Sequence, residues 1–223
     1  MSDVSRETRA LVHRLFPLRV DEVYRYVDIL KSTAVERGLI GSREAPRIWH
    51  RHVFNCAVLA PVFAADATVA DVGSGAGLPG LVLALSRPDL RLTLIEPLRR
   101  RAVFLAEVID ELGLACVDLK RARAEELHGV VQFDAVTARA VAPVARLAQW
   151  TLPLCRPGGE LVAMKGKGAR DELEAAMPLL RRLSVSDATI EQHGEGVVSP
   201  PTTVLRIRSR GTMQLPARDG DRE

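Results

Sequence analysis

Residues 69–80 read VADVGSGAGLPG: an apolar run that ends on Asp71 and Val72, then four glycines and a proline. ATVADV in front of the glycines reads as a strand, and GLVLALSR behind them reads as a helix. A glycine-rich turn from strand to helix is where a parallel α/β sheet holds a cofactor, because glycine lets the backbone approach the ligand closely. The question is whether the ligand carries a phosphate.

Outward from this loop, short apolar runs alternate with helical patterns, the signature of βαβ units. The expected strands are ATVADV, RLTLIE, ACVDLK, FDAVTA and ELVAMK, with GLVLALSR, RRRAVFLAEVIDELG and APVARLAQWTLPL as helices between them. No helix is assigned between ELVAMK and residue 182. LSVSDATIEQ and TTVLRIRS follow, joined by HGEGVVSPP, which is too short for a crossover helix, so these two are expected to pair antiparallel. The expectation is an α/β fold with a seven-stranded, mostly parallel sheet and an antiparallel edge.

Residues 1–65 show helical spacing and no strand. In VDEVYRYVDILKS, Val20, Val23, Tyr24, Val27 and Leu30 fall on one face, and a third helix is expected through APRIWHRHVFNCAVLAPVF. The chain thus divides into a helical N-terminal extension packed on the core (1–65), a Rossmann-like domain (66–210), and a polar, unpatterned tail (211–223) expected to be disordered.

With 223 residues, 47% hydrophobic and 26% charged, the chain can bury the core of one large domain. Aromatic residues make up only 4%, which argues against a surface that stacks single-stranded bases on many rings. The net charge of +3 is a mild basic bias, concentrated at Arg99–Arg101, Lys120–Arg123 and Lys165–Arg170. Cys56, Cys116 and Cys155 form no C-x-x-C pair, so no metal is expected and the thiols read as buried in a reducing compartment. The charged N-terminus lacks a signal peptide and no run is long enough to cross a bilayer; a cytoplasmic protein, monomeric by default, is expected.

Two ligands compete for the loop. From Gly75, GAGLPG satisfies G-x-G-x-x-G, and Glu96 closes the next strand at the distance a dinucleotide fingerprint requires. A dinucleotide-dependent oxidoreductase is therefore one reading, but it needs a catalytic Tyr or His near the crevice, and none is found. Against it, Asp71 is expected to point into the crevice, where a pyrophosphate would meet like charge. S-adenosylmethionine carries no phosphate, and a cationic sulfonium and an ammonium suit an aspartate. On this reading Asp71, Gly73, Gly75 and Gly77 approach the cofactor, Glu96 takes the ribose hydroxyls, and Ala124 and Glu125 lie at the adenine edge. Arg139 and Lys165, with Lys167, end two successive strands on the same rim, where a guanidinium or ammonium can grip carboxylate or phosphate. The alternative for each of these charges is a solvated strand or helix end.

With DVGSGAGLPG, EPLRRRAVFL, RAEE, ARA and MKGKG in place, the chain resembles the RsmG family, also called GidB, of small-subunit ribosomal RNA guanine-N7 methyltransferases, over about residues 20–210. RHVFNC is similar to the family's R-H-x-x-D-S segment, with Asn55 and Cys56 where Asp and Ser are usual. The resemblance implies a class I methyltransferase fold, S-adenosylmethionine as cofactor, and N7 methylation of a guanine in the 530 loop of 16S rRNA, naked or in the small ribosomal subunit. It places cofactor contacts on Gly73, Leu78, Ala124, Glu125 and Arg139.

N7 of guanine has a lone pair and no proton, so no general base is expected and catalysis is positioning. Arg139, Lys165 and His52 are the positioning candidates; His52 reads equally as a structural residue, and Trp49 and Phe54 as core. Arg100, Arg123, Lys165 and Lys167 are the candidate RNA contacts. A non-catalytic RNA-binding module on the same fold is the remaining alternative.

Overall fold

The computed structural model describes residues 4–183 and 185–210; the tail expected to be disordered lies outside them. Helices α1 (Arg6–Leu15), α2 (Val20–Lys31) and the short α3 (Thr33–Glu36) open the chain. α1 is capped by the Ser5 hydroxyl, which accepts from the Thr8 amide at 3.1 Å. On α2 the buried side chains are Val23, Tyr26, Val27, Ile29 and Leu30. Tyr26, which spacing alone left off the inner face, is fully buried.

The expected third helix is instead four short pieces: a 3-10 segment Ser42–Arg47, a π-helical turn Ile48–Phe54, the short α4 (Asn55–Ala57) and a 3-10 turn Ala60–Val62. Pro46 and Pro61 remove amides that a continuous helix would need. The apolar periodicity is real, since Ile48, Trp49, Val53, Phe54 and Cys56 are all buried, but the winding that delivers them changes along the segment.

The sheet follows: β1 (Thr68–Val72), β2 (Arg91–Ile95), β3 (Val117–Lys120), β4 (Phe133–Arg139), β5 (Cys155–Lys165), β6 (Val185–His193) and β7 (Thr202–Ser209). Its order is β3-β2-β1-β4-β5-β7-β6; the first five strands are parallel, and β7 pairs antiparallel with both β5 and β6. This is the expected mostly parallel, seven-stranded sheet with an antiparallel edge. Helices α5 (Gly80–Ser86), α6 (Arg99–Glu111) and α7 (Val144–Thr151) lie where they were expected. α8 (Ala169–Arg182) was not assigned from sequence: glycines precede it and Pro178 lies within it, yet Ala169, Ala176 and Leu180 are buried.

Two apolar cores sandwich the sheet. One joins the N-terminal helices, α5 and α6 to Val69, Leu92, Leu94, Ala135, Val162 and Val204. The other joins α7 and α8 to Ala70, Val72, Val136, Ala138, Leu161 and Ile207. The alternation of strand side chains between faces decides which core each belongs to. By that parity, Asp71 goes with Val69 to the α5 face, and Arg139 goes with Ala135 to the face covered by the N-terminal extension.

Candidate functional site

The carboxyl ends of β1, β2 and β4 open onto a cavity of about 530 Å³. Of the residues expected to hold a cofactor, Gly73, Gly75, Leu78, Glu96, Ala124, Glu125 and Arg139 line it, as do His52 and Arg123. Asp71 and Gly77 do not.

Asp71 is the main correction. Its side chain is fully buried and turned toward α5, where Oδ2 accepts the Gly80 amide at 3.0 Å; Oδ1 has no hydrogen-bond partner among the described residues. It does not guard the crevice with an exposed charge. Burial pushes its carboxyl up to about 7, and Glu96 pushes the same way; the Gly80 amide and Ser74 pull against them, as does Arg139 more weakly. Gly77 is likewise a packing position. Its φ is +93°, and a Cβ there would fall 2.3 Å from Leu81 Cδ1 and 2.9 Å from the Tyr26 hydroxyl. That hydroxyl donates to the carbonyl of Ala76 at 2.7 Å, so α2 holds the loop from behind.

The loop still disfavours phosphate, for a different reason. A phosphate-binding turn offers free amides. Here the amides of Gly73 and Ser74 donate to Ile95 O, those of Gly77 and Leu78 to Ser74 O, and that of Leu81 to Gly77 O. Gly75 donates to Glu96 Oε2 at 3.0 Å and Gly80 to Asp71, while Pro79 has no amide; the Ala76 amide is left without a partner among the described residues. Glu96 is almost fully buried; its other oxygen accepts from the Leu98 amide at 3.0 Å, and Arg101 lies 3.7 Å away. Glu96, fixed by two backbone amides, thus closes the open side of the loop with a carboxylate placed to accept from ribose hydroxyls. The cavity fits a neutral or cationic nucleoside derivative, with Glu96 presenting lone pairs to hydroxyls.

A second cavity of about 1090 Å³ adjoins the first, and Arg139, Ala140 and Val141 line both. Its basic lining comes from Arg47 and Arg51 of the N-terminal extension, beside His50, and from Lys165 at the end of β5 and Lys167 after it. Lys165 is not a free rim cation: its Nζ donates to Ala142 O at 3.0 Å and pairs with Glu172 at 2.6 Å. Glu172 also accepts the Val144 amide at the start of α7, so Lys165 ties that turn down. Arg100 sits apart, on a third surface with Arg37, Leu39, Arg99 and the exposed Val103.

Among the described residues, the hydrogen bonds of the Arg139 side chain all go to the N-terminal extension. Nη1 donates to Cys56 Sγ at 3.3 Å, and Nη2 donates to Arg51 O at 3.4 Å and to His52 Nδ1 at 2.6 Å. His52 Nε2 lies 3.0 Å from Glu44 Oε2. Burial and the Arg139 charge hold the His52 imidazole below its ordinary pKa, with Glu44 pulling upward. Glu44, Arg47, His50 and Arg51 were not found from sequence, because no spacing rule links a glutamate in the GSRE loop to a strand end almost a hundred residues on. The R-H pair of RHVFNC was the one available signal.

A family model described as GidB, rRNA small subunit methyltransferase G, matches residues 19–198. A protein named ribosomal RNA small subunit methyltransferase G from Paenarthrobacter aurescens is 49% identical over 207 residues, 93% of this chain and 96% of its own. Its namesake from Streptomyces coelicolor is 53% identical over 194 residues, 86% of this chain and 81% of its own. Among solved structures, an O-methyltransferase from Bacillus cereus in complex with SAH superposes with a TM-score of 0.57 at 13% identity, over 89% of this chain and 99% of its own. At that identity the likeness shows the fold: the class I methyltransferase sheet.

Proposed function

Because the chain belongs to the rRNA small subunit methyltransferase G family, we propose that it methylates N7 of a guanine in the 530 loop of 16S rRNA with S-adenosylmethionine. The observation that carries this is the glycine loop, whose amides, that of Ala76 excepted, are engaged within the protein and whose open side meets the Glu96 carboxylate. Such a cavity accepts a nucleoside without phosphates.

S-adenosylmethionine, when bound, supplies an electrophilic methyl group: the N7 lone pair forms the new N–C bond, the C–S pair leaves with sulfur, and no proton moves. What this chain contributes is placement. Glu96 accepts the ribose hydroxyls, Gly73 and Leu78 wall the loop side, and Ala124 and Glu125 meet the adenine edge. Arg139 faces the second cavity, which takes the RNA, Lys167 contacts phosphate there, and Arg123 does so from the rim of the first cavity. With no proton to abstract, the reaction needs no general base, and alignment drives it.

Calorimetric titration with S-adenosylmethionine and with NAD, followed by methyl transfer to small ribosomal subunits and to naked 16S RNA, tests the reading. The expected result is S-adenosylmethionine binding, no NAD binding, and one N7-methylguanine per RNA. Tight NAD binding would return the oxidoreductase reading. RNA binding without methyl transfer would leave the non-catalytic module.

A further inference from the structure

Arg139 follows from the strand parity of β4, but its orientation does not. Among the described residues, the hydrogen-bond partners that orient it, named above, come from residues 44–56. Ala140, directly after it, has φ 52°, a backbone conformation a non-glycine residue adopts at a cost and keeps only where the surroundings enforce it. Both features show a guanidinium held in one pose where the two cavities meet.

A guanidinium only donates hydrogen bonds. His52 Nδ1, 2.6 Å from Nη2, therefore accepts and carries no proton. The imidazole hydrogen must lie on Nε2, where it is donated to Glu44 Oε2. Glu44 takes a second donor, Arg51 Nε at 2.9 Å, so its carboxylate is fixed as well. We propose that Glu44 and His52 are positioning residues: they hold the Arg139 guanidinium toward the target nucleotide, and protonation of His52 releases it. A proton on Nδ1 would set N–H against N–H and cation against cation. The charged groups facing His52 are Glu44 from the 3-10 segment, Arg51 from its own π-helical turn and Arg139 from β4. The two arginines oppose protonation and Glu44 favours it. This inference rests on the methyl-transfer reading.

The test is the pH profile of methyl transfer, compared among wild type, His52→Gln, His52→Ala and Glu44→Gln, with cofactor affinity and thermal melting measured alongside. Wild type should lose kcat on an acid limb with a midpoint below 6.5. His52→Gln keeps an oxygen to accept from Arg139 and cannot gain a proton, so it should retain most of the neutral-pH rate and lose the limb. His52→Ala should drop kcat by about 10²-fold while binding S-adenosylmethionine within a few-fold of wild type. Glu44→Gln should move the limb to lower pH, since the group that stabilises the imidazolium is gone. A limb that persists unchanged in His52→Gln, or one that does not move in Glu44→Gln, overturns the proposal while leaving the methyltransferase intact. No transfer by wild type at any pH rejects the underlying reading, and this role with it. Should His52→Ala melt far below wild type, His52→Gln and Glu44→Gln still decide.

Discussion

Asp71 is a buried acid with one oxygen on the Gly80 amide and its pKa raised to about 7. In the unfolded chain it titrates near the ordinary carboxylate value. Between the two, the folded protein holds a proton that the unfolded chain has lost, so the stabilisation is complete below about pH 4 and is lost as pH rises through about 7. A gap of about three units sets an upper limit of about 4 kcal/mol. Asp71→Asn keeps an oxygen for Gly80 and has no proton to lose; urea unfolding at pH 5 and pH 8 should show wild type weakening relative to this variant. Gly77→Ala, which forces a methyl group against Leu81 at a left-handed φ, should cost about 3 kcal/mol in the same assay. Both residues were visible in the sequence as members of a ligand loop. Which way Asp71 faces was not readable: parity along ATVADV puts residues 69 and 71 on one side, and only the helix that packs there shows the side to be interior.

At the level of elements, α2 supports the site without lining its cavity. The Tyr26 hydroxyl donates to Ala76 O in the loop, and Ala76 lines the first cavity. Tyr26→Phe strands that carbonyl, so stability should fall by about 1–3 kcal/mol, with weaker S-adenosylmethionine binding by calorimetry. Parallel strands and their crossover helices were legible because long apolar runs leave few alternatives. The segment from Ser42 to Val62 was not: its burial pattern is helical, while its prolines and wide π-helical turn follow from how it must reach both the sheet and Arg139. α8 escaped for a related reason, since Gly166, Gly168 and Pro178 read as loop punctuation.

Across the whole molecule, the N-terminal extension is half of the site. It shares an apolar core with the sheet, supplies the described hydrogen-bond partners of the Arg139 side chain, and contributes Arg47, His50 and Arg51 to the second cavity. If Arg47, Arg51, Arg139 and Lys167 each meet a phosphate of unpaired RNA, log affinity should fall against log salt with a slope of about −3, or about 50-fold between 50 and 200 mM. Arg47→Ala should reduce that slope by about 0.7, read by filter binding across salt. The first cavity was legible because it follows the sheet edge; the second was not, because it depends on how two regions of unlike texture dock. The strand order has its own consequence for biogenesis. β7 comes last in chain order among the strands, yet it lies between β5 and β6 and is the partner of both. During synthesis β5 therefore emerges with one edge bare and β6 with nothing to lie against, until the ribosome has delivered the strand that closes the gap. Over that interval the nascent chain is open to wrong pairing, and a chaperone that covers sheet edges would have its task here.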